Sequence, residues 1–196
     1  MIVITNPIPI VNEINIIHSL FESGLELLHV RKPDYSEEEM TAFLSKIELR
    51  YRSKLVLHQQ HQLSNNFGIN RIHFTENKRT QLSITSGQFA ALTRSTATHS
   101  IEDFNSLNTR FEYAFLSPVY PSISKPDYAS NVNHLETIKH RLNFKTRLVA
   151  LGGISSKNIK ETYRVGFDEV ALLGTIWNST NPIENFKLCQ QIAHSF

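Results

Sequence analysis

Cysteine is almost missing: Cys189 stands alone in 196 residues, which excludes an internal disulfide and a cysteine-built metal cluster. Its place in an apparent C-terminal helix suits a buried structural thiol better than a nucleophile. Charge is sparse too, at 19% with a net of +2, and it is dispersed, so there is no basic stripe for nucleic acid. No apolar run is long enough to cross a bilayer, and the N-terminus lacks a basic region followed by an apolar core. A cytoplasmic protein without membrane contact is the expectation. The seven glycines and seven prolines occur singly or in pairs, so no flexible linker divides the chain. A hydrophobic content of 40% at this length fits one domain, 1–196, with a sizeable core.

What is present alternates between short apolar runs and helical periodicity. Ile2–Thr5 is a β-branched run stopped by Asn6-Pro7 and reads as a first strand. Asn12 is placed to cap a helix to Ser23, with Ile14, Ile17, Leu20 and Phe21 at helical spacing and Gly24 at its end. Leu25–Val30 is a second strand. Ser36 and Glu39 have capping-box spacing for a helix running towards Arg52. Lys54–Leu57 is a third strand, a short helix leads to Phe67-Gly68, and Arg71–Phe74 is a fourth strand. Lys78–Gly87 is polar and poorly periodic and yields no element. Phe89–Thr93 reads as the fifth strand, and Ser100 caps a helix favoured by Glu102 and Asp103 in its first turn. Tyr113–Leu116 is the sixth strand. The loop Ser117–Ser130 carries three prolines, and its length makes it a candidate lid. Helices follow over Asn133–Leu142 and, at the end of the chain, over Asn185–His194.

Between those last two helices lies Thr146–Trp177, the stretch around which the chain is organised. Arg147–Leu151 is a strand ending at Gly152-Gly153, and Ser155 or Ser156 is placed to cap a helix from Lys157. Gly166 closes that helix, and a strand over Glu169–Leu173 leads to Gly174-Thr175. This is a parallel βαβ unit with glycines just past the carboxyl end of each strand. Free amides there carry partial positive charge and favour an anion. The plain alternative is that the glycines only turn the chain.

Strand and helix alternate about eight times, the rhythm of a (β/α)₈ TIM barrel near its lower size limit. A doubly wound open sheet has the same alternation, and eight strands in so short a chain favour the compact barrel. On the barrel reading the loops after strands seven and eight form a phosphate site. One rim then collects His29 and Arg31, His58-Gln59-Gln60, His73 and Glu76, His99, and Ser122, Ser124 and Lys125. Arg31 and Lys125 supply charge for an anion, and the serine hydroxyls donate to phosphate oxygens.

Five segments in order resemble motifs of the thiamine-phosphate synthase/TenI family. LHVRKP is similar to an arginine-containing Q-x-R-x-K, INRIHF to D-G-x-H-[IL], and TATHS to G-x-S-x-H-[ST]. LSPVYPSISK is similar to G-P-[IV]-[FY]-P-T-x-T-K, and LVALGGISSKNI to A-[IL]-G-G-I-x-x-x-N. The resemblance covers nearly the whole chain and implies a barrel that binds thiazole phosphate, with the phosphate on the amides of Gly152, Gly153, Gly174 and Thr175. Synthase members couple that thiazole to a pyrimidine methyl diphosphate and release diphosphate with Mg²⁺. TenI-type members move a proton on carboxythiazole phosphate without a metal. Family members often form dimers or larger assemblies, although no interface motif stands out here.

The chain departs from the synthase pattern where diphosphate is handled. His58-Gln59-Gln60 stands at the family's N-D-D, Lys78 at its second metal aspartate, Pro33 at the lysine of Q-x-R-x-K, and Ala97 at the strand-five serine. Mg²⁺ wants anionic oxygen ligands, which glutamine and lysine do not supply; Glu76 is the one substitute nearby. His99 matches the histidine that TenI-type members use for proton transfer, and imidazole can accept and donate near neutrality. Synthases also carry a histidine there, so packing at the strand end is the alternative role.

Three expectations follow. The first is a metal-independent, cofactor-free thiazole tautomerase with His99 as acid/base and Arg31 at the carboxylate. The second is a synthase, in which His29, Arg31, Gln60, Ser122, Ser124 and Lys125 bind diphosphate or substrate and Mg²⁺ has replacement ligands. The third is a non-catalytic barrel that keeps only the phosphate cup.

Overall fold

A computed structural model describes residues 1–81, 89, 91–108, 110–121 and 132–195. Eight parallel strands close into a barrel in chain order: β1 (Ile2–Ile4), β2 (Leu27–Val30), β3 (Leu55–Leu57), β4 (Arg71–Phe74), β5 (Thr93–Thr98), β6 (Tyr113–Leu116), β7 (Arg147–Leu151) and β8 (Glu169–Leu172). The barrel reading is the correct one, and β8 pairs with β1 through Ile2↔Ala171 and Val3↔Leu172 to close it.

Side chains alternate along each strand, so one set faces the helices and the other fills the barrel. Val3, Leu28, Val30, Leu55, Leu57, Ile72, Ala114, Leu148 and Val170 belong to the outer core under the helices. The inner layer splits by strand. β1 and β6–β8 contribute an apolar cluster of Ile2, Ile4, Tyr113, Phe115, Val149 and Ala171. β2, β4 and β5 instead bury His29, His73 and Ser95, which the register places side by side: His73↔Ser95 and Ser95↔Tyr113.

The helices are short: α1 (Glu13–Glu22), α2 (Glu37–Ser45), α3 (Leu63–Phe67), α4 (Glu76–Gln81), α5 (Ile101–Asn105), α6 (His134–Thr137), α7 (Ile159–Arg164), α8 (Gly174–Trp177) and α9 (Pro182–Ala193). The expected capping box of α2 is formed, with Glu39 N to Ser36 Oγ at 3.2 Å and Ser36 N to Glu39 Oε2 at 2.8 Å. Ser100 caps α5 by accepting from Asp103 N at 3.1 Å.

Several expectations are corrected. The fifth strand is Thr93–Thr98, not 89–93. It is a polar strand whose threonines satisfy themselves on neighbouring carbonyls, Thr96 on Phe74 at 2.9 Å and Thr98 on Phe115 at 2.8 Å. Such a strand needs no apolar run. Glu76–Gln81 form α4, which reaches into the start of the Lys78–Gly87 stretch that yields no element from sequence, and Arg79 ties it to Asp103 at 2.6 Å. Asn12 does not cap α1 with its side chain; it takes a left-handed conformation, φ 59°, which asparagine tolerates. α2 stops at Ser45 and a 3₁₀ helix covers Leu49–Lys54, while the Arg52 guanidinium donates to the carbonyls of Ser45 and Ile47. Neither Ser155 nor Ser156 caps α7. Asn158 precedes it, and its Oδ1 accepts from Ser155 N at 2.9 Å. α9 begins at Pro182, where a fixed φ suits the first turn of a helix.

Candidate active site

Charge pairs line a cavity of about 330 Å³ at the amino end of the barrel. Glu112 holds Arg71 at 2.5 Å and Arg147 at 2.6 Å, and the terminal amine sits 2.9 Å from Glu169. The carboxyl end is open, with a cavity of about 320 Å³ whose wall includes Arg31, Glu76, Ala97, His99, Ser117 and Gly152, with His58 and His73 at its floor.

His99 follows directly on β5. Its Nδ1 lies 2.7 Å from the Ser117 carbonyl oxygen. A carbonyl only accepts, so Nδ1 carries the proton and Nε2 is left as the reactive nitrogen. Nε2 lies 3.7 Å from Glu76 Oε2, with the ring 49% exposed. The anchor exists because β5 and β6 are neighbours and their C-terminal residues emerge together. Arg31 is fixed by its backbone: its N–H donates to Thr5 Oγ1 at 2.9 Å, and the Thr5 hydroxyl donates to its carbonyl at 3.1 Å. Among the described residues its guanidinium has no carboxylate partner, which leaves its charge for an anion.

Lys32, beside Arg31, turns away. Its Nζ is fully buried, 2.6 Å from both Glu13 oxygens and 3.3 Å from the Ile8 carbonyl. Burial drives both partners toward their neutral forms, raising Glu13 and lowering Lys32, against their mutual attraction. Lys32 therefore belongs to the packing of α1 against β2.

His29 is corrected. The sequence put it at the rim as a substrate contact, but its side chain is fully buried in the barrel. Nδ1 lies 2.8 Å from His58 Nε2, and Nε2 lies 2.6 Å from the Tyr113 hydroxyl. The alternation of β2 points it inward, and the Arg31 rim lies one layer above. Burial lowers His29 and His58 well below the ordinary imidazole range, with neighbouring histidines adding to the effect. Burial pushes His73 down to about 3, with help from His61 and Arg31. The group is neutral.

Gln60 lies beyond β3 at φ 50°, where its Nε2 donates to the Tyr35 carbonyl at 2.7 Å. Its Oε1 is buried with no hydrogen-bond partner among the described residues. The neighbouring Gln59 amide donates to the Lys32 carbonyl. Two amides tied to backbone do not make a Mg²⁺ site, because a hard cation needs anionic oxygens. Among the described residues that line the cavity Glu76 is the one carboxylate, and it faces His99.

The glycine loops separate into two places. Gly152 and Gly153 have φ of 98° and 64°, and a Cβ on Gly152 would come within 2.8 Å of Pro118. On Gly153 it would come within 2.7 Å of Tyr120 Cβ and run into the Pro121 carbonyl. Their absent side chains let the loop after β6 dock, with Val119 N on Leu151 O at 2.9 Å and Tyr120 N on Gly152 O at 3.1 Å. Gly174 and Thr175 instead line a neighbouring polar cavity of about 480 Å³ with Ser155, Ser156 and Lys157. The Thr175 hydroxyl donates to the Ile154 carbonyl and joins the two loops. In the sequence Ser155 and Ser156 carry only a capping signal, and Lys157 carries none, so their place on this cavity comes from the fold. Ser122, Ser124 and Lys125 lie outside the described residues, as does most of the candidate lid.

A closed eight-stranded parallel barrel with a carbonyl-anchored histidine and an arginine at its open carboxyl rim defines the class: a (β/α)₈ barrel. Within that class the chain belongs to the thiamine monophosphate synthase family, whose model matches residues 1–176. It is 33% identical over 89 residues to a thiamine-phosphate synthase of Streptococcus suis (strain 98HAH33), covering 44% of this chain and 38% of that relative. To the thiamine-phosphate synthase of Citrobacter koseri it is 25% identical over 175 residues, covering 86% and 82%. The match to the Streptococcus relative thus spans well under two thirds of its length, whereas that to the Citrobacter relative spans more. The crystal structure of thiamine phosphate pyrophosphorylase from Bacteroides thetaiotaomicron superimposes with a TM-score of 0.79 at 29% identity, covering 99% of this chain and 97% of that one.

Proposed function

We propose that this family member is a metal-independent tautomerase of carboxythiazole phosphate. The observation that carries the reading is the orientation of His99: Ser117 holds Nδ1–H, and Nε2 faces the cavity beside Glu76. In the proposed reaction Nε2 takes a proton from a carbon of the non-aromatic ring, the solvent-exposed imidazolium exchanges it with water, and Nε2–H delivers a proton to another carbon of the conjugated system. One C–H bond breaks, one forms, and the ring becomes aromatic with no redox change. Glu76 stabilises the transient imidazolium, and Arg31 binds the carboxylate. The phosphate sits towards the glycine loops, with Lys157 as an added cation.

The relatives' name favours synthase, which requires diphosphate to be bound and released with Mg²⁺. Gln59 and Gln60 argue against that reading, since both point their NH2 groups at backbone carbonyls and a neutral amide oxygen brings no negative charge to Mg²⁺. Two assays on one preparation separate the readings. Aromatisation in EDTA, lost in His99→Asn with ligand binding retained, is the tautomerase result. Mg²⁺-dependent diphosphate release from the two phosphorylated precursors is the synthase result. Binding of thiazole phosphate with neither turnover leaves the non-catalytic barrel.

A further inference from the structure

Beneath the candidate active site the barrel holds a group that the proposed proton transfer does not use. His29, His58 and His73 each bring one ring nitrogen within 4.8 Å of the others'. Three imidazoles in the dry interior of a barrel are costly unless satisfied, and branched apolar residues normally fill this layer.

One set of tautomers satisfies the hydrogen bonds around the group. In that set Ser95 Oγ donates to the Ile72 carbonyl at 3.4 Å and accepts from His73 Nδ1–H at 2.9 Å. That leaves the lone pair of His73 on Nε2. The Tyr113 hydroxyl lies 2.6 Å from His29 Nε2, and with Nε2–H donating to it the lone pair of His29 is on Nδ1. His58 Nε2 lies 2.8 Å from that same Nδ1, so it donates there. Metal-ligating imidazoles are held in this way, by an outer partner on the second nitrogen. Two of the three rings have that partner in place.

We propose that His29 Nδ1, His58 Nε2 and His73 Nε2 form a site for a divalent transition metal of the Zn²⁺ class, with a fourth position open to the rim cavity. Imidazole nitrogens suit Zn²⁺ and its neighbours, not Mg²⁺. Zn–N bonds of about 2.0–2.1 Å put tetrahedral ligand nitrogens about 3.4 Å apart. The 2.8 Å pair therefore opens by roughly half an ångström, and the wider pairs close by up to about 1.4 Å. His58 moves its proton from Nε2 to Nδ1 and stays neutral, so no net proton is released. Access is from above, because His58 and His73 line the cavity. The fourth ligand is water, as in three-histidine sites that keep one position open.

The test uses the full chain after chelator treatment, with Co²⁺ as the spectroscopic probe. The expected result is one equivalent bound per chain with the intense visible absorption of a four-coordinate site. Zn²⁺ should displace it, and a Co²⁺-soaked crystal should show an anomalous peak between the three rings. His58→Asn and His73→Asn should abolish the band, while His140→Gln at the surface leaves it intact. Tyr113→Phe and Ser95→Ala, which keep the ligands, should weaken Zn²⁺ binding about 10- to 100-fold; circular dichroism confirms that each variant is folded. No band in the folded wild type, a band surviving His58→Asn, or a peak at another histidine overturns the proposal. The tautomerase reading fails separately: His99→Asn should remove turnover and keep the band, whereas EDTA should remove the band and keep turnover.

Discussion

His99 and the glycines beside it do their work through single atoms. One hydrogen bond to the Ser117 carbonyl decides which imidazole nitrogen carries the lone pair. Replacing His99 by asparagine keeps a polar group at the rim and removes the acid/base, so kcat should fall about 10²–10⁴-fold with little change in ligand affinity. Steady-state kinetics beside a binding titration read the two effects apart. Gly153→Ala fails for another reason: it forces φ 64° on a residue with a Cβ and drives that Cβ into Tyr120 and Pro121. The cost should exceed about 1 kcal/mol in a urea melt, with loss of the docked 118–121 segment. His99 and Arg31 were legible in the sequence because each ends a strand and sits in a motif. The inward turn of His29 was not, because β2 is so short that its alternation is visible only once its neighbours are in register.

Strands and helices here rest on polar contacts as much as on apolar runs. α1 is tied to the end of β2 by the buried Glu13–Lys32 pair. Glu13→Gln leaves a fully buried ammonium without its partner and should cost about 3–5 kcal/mol of unfolding free energy by chemical denaturation. An exposed pair such as Lys139–Glu136 should contribute less than about 1 kcal/mol. The apolar strands β4, β6 and β7 were read from sequence to the residue, because β-branched and aromatic runs mark them. β5 was misplaced by several residues because TRSTAT stabilises itself through hydroxyl-to-carbonyl bonds that leave no hydrophobic trace. α4 was invisible for a related reason: a short solvated helix has no apolar stripe, and an ion pair to Asp103 holds it.

The assembled barrel has a divided interior, apolar along β1 and β6–β8 and imidazole-rich along β2–β4, and this sets its response to acid. His29, His58 and His73 have folded pKa values below the ordinary ~6.5 of free imidazole. Between the folded and unfolded values the unfolded chain binds more protons. The metal-free protein should therefore hold full stability above pH ~6.5 and lose about 1.4 kcal/mol per pH unit for each imidazole as the pH falls below it. Denaturant melts from pH 8 to 5 measure this, and a flat profile would mean that the rings are solvated. Closure of the barrel, the open carboxyl rim and the family follow from the alternation and the five motifs. The separation of the glycine loops into two cavities was beyond reach, because both loops read alike in one dimension and only the docking of 118–121 on Gly152-Gly153 sets them apart.

Proton transfer at His99 is measured most directly by running the aromatisation of carboxythiazole phosphate in D₂O with EDTA and following the product by NMR. The account predicts one deuterium on the newly protonated carbon with wild-type protein, and no turnover with His99→Asn that still binds the ligand. Equal rates in the two proteins, or no aromatisation alongside Mg²⁺-dependent diphosphate release, would contradict it.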